Sequence, residues 1–272
     1  MSDWSGKVVI VTGGSSGLGR AIAAAFGRRK AHVVIAARGE EALARTAAEL
    51  ARQGIAVATI TADVTRQESV DALITQTVEM FGRLDVVVNN AGRSSRRAVL
   101  DTTVEDFSAL LELNLLGVVR MTRAAAPHLL ATGGHLVNIG SLAGKSATRF
   151  MGAYPASKFA LSAYTQQLRL ELAPQGLHVL LVCPGPIARD EPRAASSERA
   201  QEDVSNIPEA ARKPGAGAKV KLLRPENLAE RIVAACDARA PELVIPGKAR
   251  LLFAISALSP RLGDWLVRRM TS

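Results

Sequence analysis

Two side chains that can exchange protons, Tyr154 and Lys158, are four positions apart, and Ser141 lies thirteen residues before Tyr154. Residues at i and i+4 of a helix lie on the same face, one turn apart. An unperturbed tyrosine titrates near pH ~10, and lowering this to about 7 requires roughly 4 kcal/mol of preferential stabilisation of the phenolate. A neighbouring lysine cation supplies a large part of that energy. The pair predicts a proton donor and acceptor for neutral pH, although an ordinary amphipathic helix start has the same pattern.

A glycine-rich turn near the start of the chain has the composition of a phosphate-binding site. It follows the β-branched run Val8–Val11 and precedes an alanine-rich stretch. Glycine permits close backbone approach to a ligand, and a helix N-terminus offers unpaired N–H groups and a positive dipole end. A tight turn without a ligand has the same composition, but the position after the first strand of a βαβ pattern favours a dinucleotide. The predicted contacts are Gly13, Ser15, Ser16, Gly17, Leu18 and Gly19.

Predicted strands and helices alternate along the chain. This order requires right-handed crossovers and predicts an α/β fold with a doubly wound parallel sheet, the Rossmann fold. The predicted strands are 8–11, 33–37, 55–61, 84–88, 135–139, 178–183 and 243–246. The predicted helices are 20–29, 40–53, 67–81, 104–130, 153–172 and 225–238.

The predicted domain organisation has one main body and one extension. Residues 1–247 form a Rossmann-fold domain, within which 188–224 is predicted as a substrate lid because it follows the carboxyl end of a strand. Residues 248–272 form a C-terminal amphipathic extension with five basic residues and one acidic residue. The extension is predicted to be a helix pair packed on the body or on a second subunit. Peripheral contact with an anionic membrane face is the alternative.

The overall composition argues against several classes of protein. The net charge is +9, but only 4% of the residues are aromatic and no basic block is interleaved with them, so no nucleic-acid partner is predicted. No apolar run reaches transmembrane length, and a cytoplasmic protein is predicted. Cys183 and Cys236 are predicted to be buried thiols rather than a disulfide. The four histidines lack cysteine or acidic partners at ligand spacing, so no metal is predicted.

The residue after the second strand bears on the choice of cofactor. An acid at this point accepts hydrogen bonds from the ribose hydroxyls of NAD, whereas a basic residue meets the 2′-phosphate of NADP. Here the strand ends at Ala37 and Arg38 follows. Arg38 can make a charge-assisted contact with phosphate, which predicts NADP(H) as the preferred cofactor and NAD(H) as the alternative. A solvated surface arginine is the competing interpretation of Arg38.

The motifs taken together resemble the short-chain dehydrogenase/reductase family. The resemblance covers about residues 5–190, and it rests on the order and spacing of several motifs. These are Thr12-Gly13-x-x-x-Gly17-x-Gly19, Asn89-Asn90-Ala91-Gly92, Asn114, Ser141, Tyr154-x-x-x-Lys158 and Pro184-Gly185. The chain length fits the shorter branch of the family, and the C-terminal part is similar to hydroxysteroid dehydrogenase-like enzymes.

The resemblance implies a catalytic role for four residues. Tyr154 would protonate the carbonyl oxygen of the substrate, or act as the base in the reverse direction. Lys158 would lower the pKa of Tyr154 and bind the nicotinamide ribose. Ser141 would polarise the substrate oxygen. Asn114 would hold a water that links Lys158 to solvent.

The resemblance also implies further cofactor contacts. Asp63 and Val64 would contact the adenine, although a plain turn acid is the competing interpretation of Asp63. The family commonly has a threonine after Ile187, where this chain has Ala188, so a hydroxyl contact is missing and only the Ile187 backbone is available. The remaining implied contacts are Asn90, Ala91, Gly92, Tyr154, Lys158, Pro184, Gly185 and Ile187.

The predicted function is an NADP(H)-dependent oxidoreductase that transfers hydride between nicotinamide and a carbonyl or secondary alcohol. The apolar C-terminal segment and the lid suggest a lipophilic, steroid- or lipid-like substrate. One alternative is a 3-oxoacyl thioester reductase whose basic surface docks an acyl carrier protein. Another is a dinucleotide-binding sensor without catalysis. Because the family often dimerises through the helix that carries Tyr154 and the long helix before it, a homodimer or homotetramer is predicted.

Overall fold

The computed structural model describes residues 3–188, 207–212 and 221–270. The strands of these ranges form one parallel sheet of seven, in the order β3-β2-β1-β4-β5-β6-β7. Their bounds are β1 Val8–Thr12, β2 His32–Ala37, β3 Val57–Thr61, β4 Val86–Asn89, β5 His135–Ile139, β6 His178–Pro184 and β7 Glu242–Ile245. The predicted doubly wound α/β fold is confirmed, and β7 lies at one edge of the sheet.

The helices occupy the connections between the strands, as the sequence pattern predicts. Their bounds are α1 Gly17–Gly27, α2 Glu40–Ala51, α3 Gln67–Phe81, α4 Val104–Leu111, α5 Gly117–Thr132, α6 Tyr154–Leu172, α7 Glu209–Arg212, α8 Pro225–Asp237, α9 Ala249–Leu258 and α10 Pro260–Met270. The single long helix predicted over 104–130 is interrupted in the structure. A π-helical turn at Glu112–Leu116 separates α4 from α5.

Helices cover both faces of the sheet, which explains why its central strands are continuous apolar runs. On one face, Phe26 of α1 and Ile232 of α8 belong to a buried cluster with alternate residues of the strands. On the other face, Leu73 of α3 and Met121 of α5 form a second cluster with the remaining strand residues. The two layers hold the strand ends in fixed positions relative to one another.

The sheet reverses its winding direction between β1 and β4. The chain proceeds from β1 to β2 and β3 on one side, and continues from β4 to β7 on the other. Ligands of open α/β sheets bind outside the carboxyl ends of the strands at such a switch point. The glycine turn follows β1, and Asn90 to Gly92 follow β4, so two of the predicted cofactor motifs meet there.

Most of the predicted lid lies outside the described residues, namely 189–206 and 213–220. Within the described part, Ile187 and Leu223 form an isolated parallel bridge, and α7 is a single short helix. The predicted C-terminal helix pair is present as α9 and α10. Among the described ranges, none of the helices combines the length and apolar character needed to span a bilayer.

Candidate active site

The glycine turn has the close backbone packing that a phosphate cradle requires. Gly17 has a φ of 49°, in the left-handed region where glycine carries no steric cost. A Cβ atom on Gly19 would lie 2.2 Å from the Gly13 carbonyl oxygen, so only glycine fits there. The turn therefore fits the pyrophosphate of a dinucleotide, which the N–H groups at the start of α1 would hold.

Thr12 joins the glycine turn to the motif that follows β4. Its buried hydroxyl accepts hydrogen bonds from the backbone N–H groups of Asn90, at 3.0 Å, and Ala91, at 3.1 Å. The Asn90 side-chain amide donates to the Thr12 carbonyl at 2.9 Å and to the Gly13 carbonyl at 3.2 Å. The predicted cofactor residues Gly13, Asn90 and Ala91 are thus held together at the switch point. The role of the Thr12 hydroxyl was not predicted.

Asn114 lies fully buried in the π-helical turn. Its side-chain oxygen accepts from the Arg93 N–H at 3.0 Å, and its amide nitrogen donates to the Arg93 carbonyl at 2.9 Å. The same nitrogen donates to Ser157 Oγ at 3.0 Å. Single π turns inside helices occur frequently at functional sites. Here the turn brings the Asn114 amide to the first turn of α6, between Tyr154 and Lys158.

Lys158 is buried beside the ends of β4 and β5. Its ammonium group donates to the Ile139 carbonyl oxygen at 2.8 Å. Burial lowers the pKa of the Lys158 ammonium to about 8, because the charged form loses its hydration. A Cβ atom on Gly92 would lie 2.8 Å from Asn114 Oδ1 and 3.8 Å from Lys158 Nζ. Gly92 therefore permits the close approach of these two side chains.

Tyr154 is partly buried against Ala143 and Met151 and interacts with Ser141. Burial raises the pKa of the Tyr154 phenol, and the hydrogen bond with Ser141 and the positive charge of Arg96 act in the opposite direction. Ser141 Oγ also accepts from the Ala143 N–H at 3.1 Å, which fixes the position of the hydroxyl. The sequence assigned the lowering of the Tyr154 pKa to Lys158. In the structure Ser141 and Arg96 act to lower it against the effect of burial, and the contribution of Lys158 stays a prediction.

The predicted adenosine end of the site has a carboxylate that is influenced by two cations. Asp63 Oδ1 accepts from the Thr65 N–H at 2.9 Å and from the Thr65 hydroxyl at 2.8 Å. Burial alone would raise the pKa of the Asp63 carboxyl, but the Thr65 hydrogen bonds and the charges of Arg38 and Arg66 lower it overall. Val64 is buried and packs against Gly117. Arg38 and Arg66 are exposed at this end of the sheet.

The segment after β6 is held by backbone hydrogen bonds. Gly185 N–H donates to the Ile245 carbonyl at 2.7 Å, and Ala188 N–H donates to the Leu223 carbonyl at 2.8 Å. The Pro186 carbonyl accepts from the Leu223 N–H at 2.8 Å. The bridge therefore uses the groups on either side of Ile187. Pro184 ends β6 at the same sheet edge as the other predicted cofactor residues.

The structure adds two residues that the sequence interpretation left without a role, Ser157 and Arg96. Ser157 stands within the Tyr154–Lys158 stretch, and its position at i+3 from Tyr154 was the available signal. Its hydroxyl donates to the Tyr154 carbonyl at 2.8 Å. Arg96 carries no comparable signal, because only the tertiary structure brings the segment after Gly92 towards Tyr154.

A second polar cluster lies at the opposite, amino edge of the sheet. His135 Nδ1 and His178 Nδ1 are 2.8 Å apart, and His178 Nε2 lies 2.8 Å from the Ala240 carbonyl oxygen. With Cys236 Sγ, their ligand atoms all lie within 4.8 Å of one another. The linear spacing of these residues did not reveal this arrangement. The absence of a metal remains a prediction.

A phosphate cradle at the switch point, with a tyrosine, a serine and a buried lysine beside it, defines an NAD(P)-dependent oxidoreductase. The chain belongs to the short-chain dehydrogenase/reductase family. The family model described as short chain dehydrogenase matches residues 7–200.

Two curated relatives illustrate the range of the family. The chain is 34% identical over 268 residues to the uncharacterized oxidoreductase YxnA of Bacillus subtilis, covering 97% of this chain and 72% of the relative. It is 36% identical over 241 residues to the glycine betaine reductase ATRR of Emericella nidulans, covering 88% of this chain but only 18% of that protein.

Solved structures show the same fold. A variant of the actinorhodin polyketide ketoreductase with NADPH is 34% identical with a TM-score of 0.77, covering 92% of this chain and 99% of that chain. A short-chain dehydrogenase/reductase from Burkholderia phymatum in complex with NAD is 26% identical with a TM-score of 0.82, covering 96% of both chains. An alcohol dehydrogenase from Thermococcus sibiricus complexed with 5-hydroxy-NADP is 28% identical with a TM-score of 0.73, covering 88% of this chain and 95% of that chain.

Proposed function

We propose that this short-chain dehydrogenase/reductase is an NADP(H)-dependent reductase of lipophilic ketones, or the corresponding alcohol dehydrogenase. The observation that carries the proposal is the contact between Tyr154 and Ser141 one helical turn from the buried Lys158. A phenol and a hydroxyl that face the same point can bind one carbonyl oxygen, and the phenol can give it a proton. When bound, the nicotinamide supplies or accepts the hydride.

Each side chain of the site has its own part in the proposed proton transfer. Tyr154 Oη donates its proton to the substrate oxygen, while Ser141 donates a hydrogen bond to the same oxygen. Lys158, with a pKa of about 8, exchanges a proton near neutral pH. It can therefore return a proton to the Tyr154 phenolate after each turnover. Asn114 and Ser157 hold the first turn of α6 in position for this exchange.

Two exposed cations support the preference for NADP(H). Arg38 follows the end of β2, and Arg66 precedes α3 on the neighbouring connection. Both lower the pKa of the Asp63 carboxyl, so both charges lie close to the predicted adenosine end. A 2′-phosphate carries up to two negative charges, and an arginine can bind it through two parallel hydrogen bonds. NAD(H) has a neutral hydroxyl in place of this phosphate and gains less from these charges.

The cofactor preference is tested by comparing kcat/KM for NADPH and NADH in Arg38→Ala and wild type. We expect the preference for NADPH to fall by about tenfold or more, as for the loss of one charge-assisted contact. Arg52→Ala is the matched control, because Arg52 is an exposed arginine at the far end of α2. An unchanged preference in Arg38→Ala would remove the basis for NADP(H).

The lipophilic substrate is supported by the apolar side chains around the reacting hydroxyls. Ala143 and Met151 pack against Tyr154. Leu142, next to Ser141, packs in a cluster with Leu181 and Phe253. Apolar surroundings with a few convergent polar groups suit a ketone on a hydrocarbon framework. The actinorhodin ketoreductase, a relative of known structure, is a polyketide reductase by name.

A panel of ketones and alcohols, followed by NADPH absorbance, tests the reaction. We expect turnover to rise with the apolar size of the ketone and to be lost in Tyr154→Phe. Tyr164→Phe is the matched control, since Tyr164 is the other tyrosine of the chain and lies on the same helix. Full NADPH-linked turnover by Tyr154→Phe would refute the catalytic assignment, and a preference for small polar ketones would refute the substrate class.

A homo-oligomer is part of the proposal. Ala156, Phe159 and Ala163 are exposed at i, i+3 and i+7 of α6, and the two alanines on this apolar face leave room for close helix packing. Sedimentation analysis of Ala163→Arg against wild type tests this surface. We expect the variant to sediment as a smaller species, and an unchanged species would exclude this face from the interface.

A further inference from the structure

The last two helices form a hairpin on the edge of the sheet. Gly263 of α10 meets Ser256 of α9 so closely that a Cβ atom on Gly263 would lie 2.6 Å from Ser256 Oγ. Ser259 separates the helices, and its carbonyl accepts from the Gly263 N–H at 2.9 Å. Ala249 and Phe253 attach the hairpin to the body through the cluster of Leu181, Cys183 and Val244. The hairpin, residues 249–270, is therefore packed against the rest of the fold.

The outer face of the hairpin is apolar and exposed. Leu251 and Leu258, at i and i+7 of α9, are 68% and 88% exposed. Leu262, Trp265 and Met270 of α10 are also exposed, Trp265 by 52%. A soluble surface rarely groups so many large apolar side chains, and such a group marks an interaction site.

The hairpin that carries this apolar face is strongly basic. The segment from Lys248 to Met270 contains Asp264 as its only acidic residue, against Lys248, Arg250, Arg261, Arg268 and Arg269. The Arg269 guanidinium lies 5.4 Å from the centre of the Trp265 ring. Leucine and tryptophan on one side with arginine beside them are the composition of a helix that lies in the interface of an anionic bilayer. A second copy of the same face fits less well, because a two-fold contact would bring its basic residues together.

We propose that the hairpin of α9 and α10 docks on an anionic lipid surface, with Leu251, Leu258, Leu262 and Trp265 entering the boundary between headgroups and acyl chains. Phe253 of the hairpin shares a cluster with Leu142, the neighbour of Ser141. The hairpin is therefore anchored next to the loop that carries Ser141. The docking itself does not depend on which reaction that site performs.

Tryptophan fluorescence can report the docking directly. The chain has two tryptophans, and Trp4 is buried, with 6% of its surface exposed. In the Trp4→Phe variant of the full-length chain, the tryptophan fluorescence therefore comes from Trp265 alone. We expect its emission to shift to shorter wavelength on addition of phosphatidylcholine vesicles that contain phosphatidylglycerol. Brominated acyl chains should quench it, and added salt should weaken the effect.

Co-sedimentation with the same vesicles supplies the matched comparison. Leu258→Ser should weaken binding by about tenfold or more, since a leucine no longer enters the apolar layer. Leu100→Ser changes a leucine that is 95% exposed elsewhere on the molecule and should bind like wild type. Arg261→Gln with Arg268→Gln should reduce the preference for anionic vesicles over phosphatidylcholine alone. Thermal unfolding verifies that each variant is folded.

Three results would overturn the proposal. The first is an unchanged Trp265 emission with anionic vesicles. The second is equal vesicle binding by Leu258→Ser and Leu100→Ser. The third is a Trp265 emission that shifts with protein concentration in the absence of lipid, which would assign the face to a second copy of the chain.

Discussion

Asn114 Nδ2 donates a hydrogen bond to Ser157 Oγ at 3.0 Å, and both side chains are fully buried. Ser157 Oγ donates in turn to the Tyr154 carbonyl oxygen at 2.8 Å. The two bonds connect the π-helical turn with the first turn of α6, on which the proposed proton donor stands. The position of the Tyr154 phenol is therefore coupled to the geometry of a helix that is distant in sequence.

Ser157→Ala should lower both stability and kcat. The substitution leaves one N–H of the buried Asn114 amide without its partner, which costs about 1–3 kcal/mol. It also frees the first turn of α6, so kcat should fall several-fold. Thermal unfolding and steady-state kinetics measure the two effects.

Ser162→Ala is the matched control for this prediction. Ser162 is a buried serine of the same helix, and its hydroxyl donates to the Lys158 carbonyl within the helix at 2.9 Å. Its kcat should remain close to that of wild type. Equal kcat values for Ser157→Ala and Ser162→Ala would show that the bond to Asn114 does not position Tyr154.

Arg96→Gln should move the pH dependence of alcohol oxidation to higher pH. The positive charge of Arg96 lowers the pKa of Tyr154, whereas burial raises it. Oxidation needs the ionised phenol as base, so removal of the charge raises this pKa and moves the acidic limb of kcat/KM upwards. The rate at neutral pH should fall several-fold, and Arg96→Lys should restore most of it.

Arg97→Gln provides the comparison for the Arg96 variants. Arg97 belongs to the same segment, but its guanidinium pairs with the Asp106 carboxylate. Its pH profile should match that of wild type. If Arg96→Gln and Arg97→Gln give the same profile, the Arg96 charge does not act on the phenol.

The sequence predicted most of the fold because its strands and helices have regular local patterns. The bounds of α3 and β5 agree with the predicted 67–81 and 135–139. The π-helical turn was not predicted, because apolar spacing does not distinguish one widened turn from a continuous helix. Its effect falls on Asn114, whose burial and contacts depend on that turn.

The sequence identified which residues form the candidate site more completely than it predicted their pKa values. Spacing identifies Tyr154 and Lys158, but the pKa of each group depends on its burial and on the charges that the tertiary fold brings close to it. Burial places the Lys158 pKa at about 8, and Arg96 approaches Tyr154 from a segment with no motif. The histidine cluster was missed for the same reason, since His135 and His178 meet only when β5 and β6 pair.

Gly19→Ala should impair both folding stability and dinucleotide binding. The added methyl would lie 2.2 Å from the Gly13 carbonyl oxygen, a backbone atom that cannot move aside easily. The turn would have to open, at a cost of about 1–3 kcal/mol for overpacking. NADPH affinity, measured by quenching of protein fluorescence, should fall by about tenfold or more.

Gly247→Ala tests whether this loss is specific. Within the part of the chain that the structure describes, no heavy atom other than those of Gly247 and its two chain neighbours lies within 4 Å of a Cβ at Gly247. Its NADPH affinity should equal that of wild type. A Gly19→Ala variant with wild-type affinity would show that the tight packing of the turn is not needed for the cofactor.

His135 and His178 should make the protein less stable in mild acid. Burial, the facing His178 and the charges of Arg239 and Lys7 lower the pKa of His135 to about 3, with Asp85 acting in the opposite direction. Burial also lowers the pKa of His178. His178 Nε2 donates to the Ala240 carbonyl, so its Nδ1 accepts the hydrogen bond from His135. This arrangement requires the His178 ring to be neutral, because its Nδ1 must carry no proton, and burial disfavours the charged form of His135.

The pKa of His135 in the folded state lies below the ordinary value of 6.5, so the unfolded chain binds a proton in this range that the folded chain does not. The stability is therefore complete above about pH 6.5 and decreases as the pH falls towards about 3. The unfolding temperature of the wild type should drop between about pH 7.5 and about pH 5, and His135→Gln should drop less. His32→Gln, at an exposed histidine of β2, should keep the wild-type slope. Parallel pH curves for wild type and His135→Gln would show that this pair does not set the acid sensitivity.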